Sequence, residues 1–136
     1  MIPPALLDTD ILSHLMRQDR SARAHGLAYL AEHGQFTFSL VTRYEILRGL
    51  KVKQAAVQLA AFEQFCNVNN VLPMTDAIVV RAAEIYADLR RRGALIGDAD
   101  ILIAATAQDH SLVLVTNNTK HFSNITGLQI LSWAAP

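Results

Sequence analysis

Cysteine is almost missing from this 136-residue chain, which has one, Cys66. A lone thiol cannot close an internal disulfide, so the small disulfide-stapled folds are excluded and a reducing cytosol suits the chain. No apolar run is long enough to cross a bilayer, the Ala-rich 101–107 stretch included. A secretion signal is not expected either: Met1–Leu7 is apolar but lacks a basic region, and Asp8 and Asp10 interrupt it. Net charge is absent as well, with twelve acids against twelve bases. Nucleic-acid binders usually show a basic excess, so any basic patch here is balanced by acids elsewhere. Repeats, low-complexity tracts and linkers are lacking. The five histidines, His14, His25, His33, His110 and His121, show no metal-ligand spacing, and Cys66 has no partner that would make it a nucleophile.

What is present is apolar material: 51% of the residues are hydrophobic. That is enough for a proper core in one domain spanning residues 1–136. Ala5-Leu6-Leu7 reads as a buried strand ending at Asp8, followed by a short helix over Ile11–Met16 with Asp10 as its cap. Ser21 can cap a helix over Ala22–Glu32 that stops at Gly34. Phe36–Phe38 reads as a strand, Ser39 as the cap of a helix from Leu40 to about Arg48, and Gly49 as its stop. Lys53–Phe65 reads as a helix with Val57, Ala61 and Phe65 on one stripe. Val71-Leu72 is a short strand. Thr75 caps a long helix with Ile78, Ala82, Ile85 and Leu89 at helical spacing, ended by Gly93. A largely apolar helix over 98–110 leads to the strongest strand, Leu112–Thr116, and Leu128–Leu131 reads as a last edge strand.

Strands alternating with helices predict βαβ units and a parallel sheet covered on both faces. Ligands of such sheets sit beyond the carboxyl ends of the strands. Asp8 lies at one such end, Asn117 and Asn118 lie just past another, and the helix holding Glu45 starts where Phe36–Phe38 ends. Asp100 opens the buried helix leading into the Val113 strand. Three carboxylates meeting at one edge repel, and the usual remedy is a divalent cation. An all-oxygen set suits Mg²⁺ or Mn²⁺ and suits Zn²⁺ poorly. The corresponding reaction is in-line attack of metal-activated water on a phosphodiester.

Structural roles compete at each position. Asp8 could form an Asx turn. Glu45 follows Thr42 by three, the spacing of a capping box if the helix starts late. Asp98 sits where an N-cap belongs, and Asn118 could simply turn the chain. Asp100, two residues into its helix, is favoured by the dipole in any case. Arg90-Arg91-Arg92 complements a helix C-terminus; with Arg43, Arg48, Lys51 and Lys53 it could also belong to a phosphate track.

Leu6-Leu7-Asp8-Thr9-Asp10-Ile11-Leu12, the Ser39–Gly49 stretch with Tyr44-Glu45-Ile46-Leu47-Arg48, Asp100-Ile101-Leu102-Ile103-Ala104-Ala105 and Leu114-Val115-Thr116-Asn117-Asn118 with Phe122 resemble the PIN-domain ribonucleases. More closely, with Gly127-Leu128 and Trp133, they resemble the VapC toxins of bacterial toxin–antitoxin pairs. The resemblance covers nearly the whole chain, in register. It implies a three-layer α/β/α sandwich with a central parallel sheet and a Mg²⁺- or Mn²⁺-dependent endoribonuclease in the cytoplasm. It implies structured RNA as substrate, often tRNA or rRNA, and a cognate antitoxin. It also implies a homodimer, or a heterotetramer or hetero-octamer with that antitoxin, packed along apolar helix residues such as Leu12, Leu15, Met16 and Leu27. Residue by residue, Asp8, Glu45 and Asp100 match the catalytic acids, and Asp8 and Asp100 match the metal-contacting pair. Thr116 matches a Thr or Ser that orients groups near the site. Many PIN domains carry a fourth acid where this chain has Asn118, and Asp98 is the auxiliary acid nearest to making up that charge. Two other readings stand beside this one: a PIN-like module that binds RNA or a partner without catalysis, and an aspartate-dependent phosphatase opened by Asp8-Thr9-Asp10.

Overall fold

Ala5–Leu7 forms β1, and all three of its residues are buried. A strand with no exposed residue must be covered on both faces, which is the situation of a parallel sheet flanked by helices. The computed structural model describes residues 1–134, so the last two positions of the expected 1–136 span, Ala135 and Pro136, lie outside the described residues. In chain order, β1 is followed by α1 (Thr9–Met16), α2 (Arg20–His33), β2 (Thr37–Ser39), α3 (Leu40–Val52), α4 (Ala56–Val68), β3 (Asn70–Leu72), α5 (Asp76–Arg91), α6 (Asp98–Asp109), β4 (Val113–Val115), α7 (Thr119–Phe122) and β5 (Ile130–Leu131).

Every ladder is parallel. β4 lies between β1 and β5, with Leu6 opposite Leu114 and Leu114 opposite Ile130. β2 pairs with β3, Phe38 opposite Val71. β1 runs beside β2, which sets the spatial order β3-β2-β1-β4-β5. Alternation along the strands sorts the core into two halves. Leu6 and Leu114 point into a cluster with Ile78, Ile85 and Leu89 of α5 and Ile101, Ile103 and Ala104 of α6. Ala5, Leu7 and Val115 point the other way, onto Ile11 and Leu12 of α1, Tyr29 of α2, Ile46 of α3 and Phe62 of α4. Helices on both faces of a parallel sheet are the three-layer α/β/α arrangement that the sequence pattern and the resemblance imply.

Several local readings change. The cap of α1 is Asp8, not Asp10, and the helix begins two residues earlier than expected. α2 starts at Arg20 behind Asp19, so Ser21 is inside it rather than capping it; its hydroxyl donates to the Trp133 carbonyl. Gly49 does not stop α3, which continues to Val52; the residue keeps helical backbone, whereas Gly34 and Gly93 do turn left-handed (φ +82° and +68°) at helix ends. On α4 the expected stripe is displaced: Val57 and Ala61 are exposed, and Phe62 is buried. Phe62 and Phe65 carry the largest apolar surface on that helix and stack against Phe38, at 6.5 and 5.8 Å between centroids, so they decide which face turns inward. α7 has no counterpart in the sequence reading; four residues are too few for a period to show.

Candidate active site

The end of β1 builds the first part of the site. Asp8 donates its backbone N–H to the Val115 carbonyl at 2.9 Å and so continues the β1–β4 ladder. Its side chain then caps α1, accepting the Thr9 N–H at 2.8 Å on Oδ1. Oδ2 accepts the Thr116 hydroxyl, also at 2.8 Å. The residue is only 5% exposed. Burial, followed by the negative charge of Asp10 and more weakly that of Asp100, pushes the Asp8 carboxyl up to about 7 against the pull of the Thr116 and Thr9 hydrogen bonds.

Released from capping, Asp10 turns toward the same edge. Its Oδ2 accepts the Asn117 N–H at 3.1 Å, while Oδ1 is buried without a hydrogen-bond partner among the described residues. Asn117 Oδ1 is in the same condition. Two orphaned buried oxygens beside a crowded carboxylate are unsatisfied acceptors facing excess negative charge. Sequence reasoning passed over Asp10 because Asp-x-Asp at a strand end offers two equivalent caps, and only the backbone angles of Asp8 decide between them.

α3 supplies Glu45. Ser39 caps that helix, its hydroxyl accepting the Thr42 N–H at 3.0 Å, so Thr42 is already three residues inside and the capping-box role of Glu45 falls away. Thr42 and Glu45 lie one turn apart on one face. Both meet Thr9: its hydroxyl donates to Glu45 Oε1 at 2.7 Å and lies 3.0 Å from the Thr42 hydroxyl. Glu45 Oε2 is 3.6 Å from Arg48.

α6 starts behind Gly97 as N-cap, which makes Asp98 its first residue, exposed, and Asp100 its third, half-buried. The cap expected at Asp98 is thus one residue earlier, and Asp98 and Asp100 diverge around the helix. Asp100 Oδ2 lies 2.6 Å from His121 Nε2. His121 belongs to α7, and without that helix nothing in its sequence position connects it to Asp100. At the other strand end, Asn118 is exposed; its N–H donates to Thr116 Oγ1 at 3.0 Å. The buried amide of the pair is Asn117. Cys66, set aside as a nucleophile on sequence, has its thiol pushed up by burial, which makes it a poor nucleophile.

Among the described residues, no three His, Cys, Asp or Glu side chains form a ready-made metal cluster. Glu45 is held toward Thr9 and Asp100 toward His121, while Asp8 and Asp10 carry the crowding.

A profile of the PIN domain matches residues 5–128, which includes every acid of this edge. The chain belongs to the PIN domain family. This PIN domain is 30% identical, over 131 residues, to the tRNA(fMet)-specific endonuclease VapC of Shigella flexneri, covering 95% of this chain and 97% of the relative. Among solved structures it is similar to DNA-bound VapBC from Salmonella typhimurium, with TM-score 0.85 and 27% identity over 98% of this chain and 100% of the other. It is likewise similar to VapBC-1 from nontypeable Haemophilus influenzae, with TM-score 0.83 and 29% identity over 95% and 97% of the two chains. The resemblance to VapC toxins read from the sequence is matched by similarity to VapC relatives and to VapBC structures.

Proposed function

We propose that this PIN domain is a divalent-cation-dependent endoribonuclease and the toxin of a VapBC-type pair. The observation that carries the reading is Asp8: a buried acid at a strand end, crowded by Asp10 and Asp100 and pushed up to about 7. That carboxylate destabilises the fold near neutral pH unless positive charge arrives. The donors are all oxygen, and Asp10 Oδ1 still lacks a partner among the described residues, so the edge fits a hard cation such as Mg²⁺ or Mn²⁺. Asp8 and Asp100 would hold it. When bound, the ion supplies Lewis-acid activation of water and neutralises charge on the phosphodiester.

The chain's own groups set the stage for this. Thr9 and Thr116 fix the two oxygens of Asp8, His121 fixes Asp100, and the Thr9 hydroxyl holds Glu45 on the same side as Asp8. Asp10 adds charge that the sequence reading assigned to Asp98, and Asn118 contributes its backbone to Thr116. Membership in the PIN family supports this reading over the phosphatase.

The relatives are named as ribonucleases and the similar structures as VapBC complexes, which supports RNA as substrate and an antitoxin as partner. Of the four apolar residues first considered for that partner, Leu12 is fully buried core, whereas Met16 and Leu27 are exposed. The same reading has a single domain, a homodimer or toxin–antitoxin hetero-oligomer, and a cytoplasmic location.

The test is cleavage of purified initiator tRNA and ribosomal RNA with and without Mn²⁺. Wild type is expected to cleave only with the ion. Asp8→Asn and Asp100→Asn are expected to lose at least about a hundredfold in rate while remaining folded, on the scale of losing a key electrostatic group. Full activity of a folded Asp100→Asn protein would overturn the reading.

A further inference from the structure

A cleft of about 330 Å³ opens between α1, α3 and the start of α4, next to the acidic edge. Thr9 and Glu45 line its near end, so it is continuous with the site. Arg17 and Lys53 also line it. Arg17 follows the last residue of α1, eight positions after Thr9, and Lys53 follows the last residue of α3, eight after Glu45. At 1.5 Å per residue each cation lies about 12 Å along its helix from the point where the Thr9 hydroxyl meets Glu45. Both are exposed, and neither has a carboxylate within ion-pairing distance among the described residues. Among the described residues the Arg17 guanidinium meets the His14 ring nitrogen, at 3.2 Å. Away from this cleft, Arg43 pairs with Glu63 and Arg92 with Asp88.

Gly49 lines the same cleft from the interior of α3. A glycine there weakens a helix relative to alanine. Its presence is not required by packing, because a Cβ built on it meets nothing within 4 Å. It has helical backbone, so no special turn requires it either. What glycine leaves at this position is open floor between two cations and an acid edge. Cations at helix C-termini complement the dipole, but that role places no demand on the helix interior between them.

We propose that this cleft holds the RNA backbone adjacent to the scissile phosphate, with Arg17 and Lys53 contacting its phosphates and Gly49 leaving room for the strand. The proposal rests on the nuclease reading above. It also gives a chain of zero net charge a local place to bind RNA: Arg17 and Lys53 line the cleft against one lining acid, Glu45.

The experiment measures equilibrium binding of a fluorescein-labelled single-stranded RNA of about 12 nucleotides, in the cleavage-silent Asp8→Asn background, across roughly 50 to 200 mM salt. Arg17→Ala with Lys53→Ala is expected to weaken binding about tenfold or more and to flatten the slope of log K against log salt by about 1.4, near 0.7 per lost single-strand phosphate contact. In the active protein the same pair raises KM and leaves kcat nearly unchanged. Gly49→Leu is expected to weaken binding with melting temperature equal or higher, which a merely structural glycine would not do. Arg92→Ala serves as the control and leaves the slope unchanged.

Wild-type-like affinity and slope in the Arg17/Lys53 variant would overturn the cleft proposal, while cleavage by wild type would keep the nuclease reading. If that variant bound RNA normally but lost retention of a co-expressed antitoxin, the cleft would be a protein groove and the proposal would again fall. If wild type neither cleaved nor bound RNA, the nuclease reading itself would fail, and the proposal with it.

Discussion

At Asp8, two hydrogen bonds favour the carboxylate while burial, Asp10 and Asp100 favour the acid, and the balance lies at about 7. Changing one neighbour at a time separates these contributions. Asp10→Asn keeps an acceptor for the Asn117 N–H and removes a charge, so the Asp8 titration midpoint in the cation-free protein should fall. Thr116→Val removes the hydroxyl donated to Asp8 Oδ2, so the midpoint should rise. Losing a hydrogen bond to a charged group costs about 1.5–3 kcal/mol, enough to lower cleavage at neutral pH by about tenfold or more. Carboxyl-detected NMR titration checks both directions; shifts of the same sign in the two variants would refute the assignment of causes. The sequence shows Asp8 and Asp100 readily, because one stands at a strand end and the other at a helix start, and Glu45 because its helix begins where β2 ends. It hides Asp10 and His121, whose parts depend on which way Asp8 caps α1 and on where α7 falls.

At the scale of elements, the helix holding Glu45 depends on its cap. Ser39 is fully buried and satisfies the Thr42 N–H, and Thr42 in turn touches Thr9. Ser39→Ala should therefore cost about 1–2 kcal/mol by denaturant unfolding, at the upper end for a cap because the partner N–H is buried. It should also slow cleavage, since Thr9 and Glu45 lose a fixed neighbour. Thr75→Ala, which removes the matching cap of α5, a helix that carries none of the candidate catalytic acids, should cost about 1 kcal/mol and leave the rate of the folded protein unchanged. Helices with side-chain caps and strict apolar spacing, such as α5, are legible in sequence to within a residue or two. α4 is not, because two phenylalanines packing on Phe38 outweigh the nominal stripe.

For the whole molecule, the site acts on stability. The folded Asp8 value of about 7 lies above its unfolded value of 3.8, so the folded state binds this proton more tightly. The stabilisation is complete below pH 3.8 and is lost as pH rises through 7. In EDTA, the melting temperature should therefore fall between roughly pH 4 and pH 7 beyond any trend shown by Asp8→Asn. At pH 7.5, adding Mn²⁺ should raise it again in wild type and much less in Asp8→Asn, because a ligand that binds only the folded state stabilises it. A wild-type melting curve indifferent to both pH and Mn²⁺ would show that the acidic edge is not the cation site.

Alternation of strands and helices, the continuous apolar runs of the strands and the placing of Asp8 at a strand end are local properties, and the sequence by itself determined them. From these followed the parallel sheet, its two covered faces and the expectation that Asp8, Glu45 and Asp100 meet at one edge. Tertiary structure alone decided which acid of Asp8-Thr9-Asp10 caps and which is left with an orphaned oxygen, that His121 reaches Asp100, and that Arg17 and Lys53 share a cleft while Arg43 does not. Those outcomes depend on side-chain directions and on packing between residues 21 to 108 positions apart, and neither spacing nor composition carries that information.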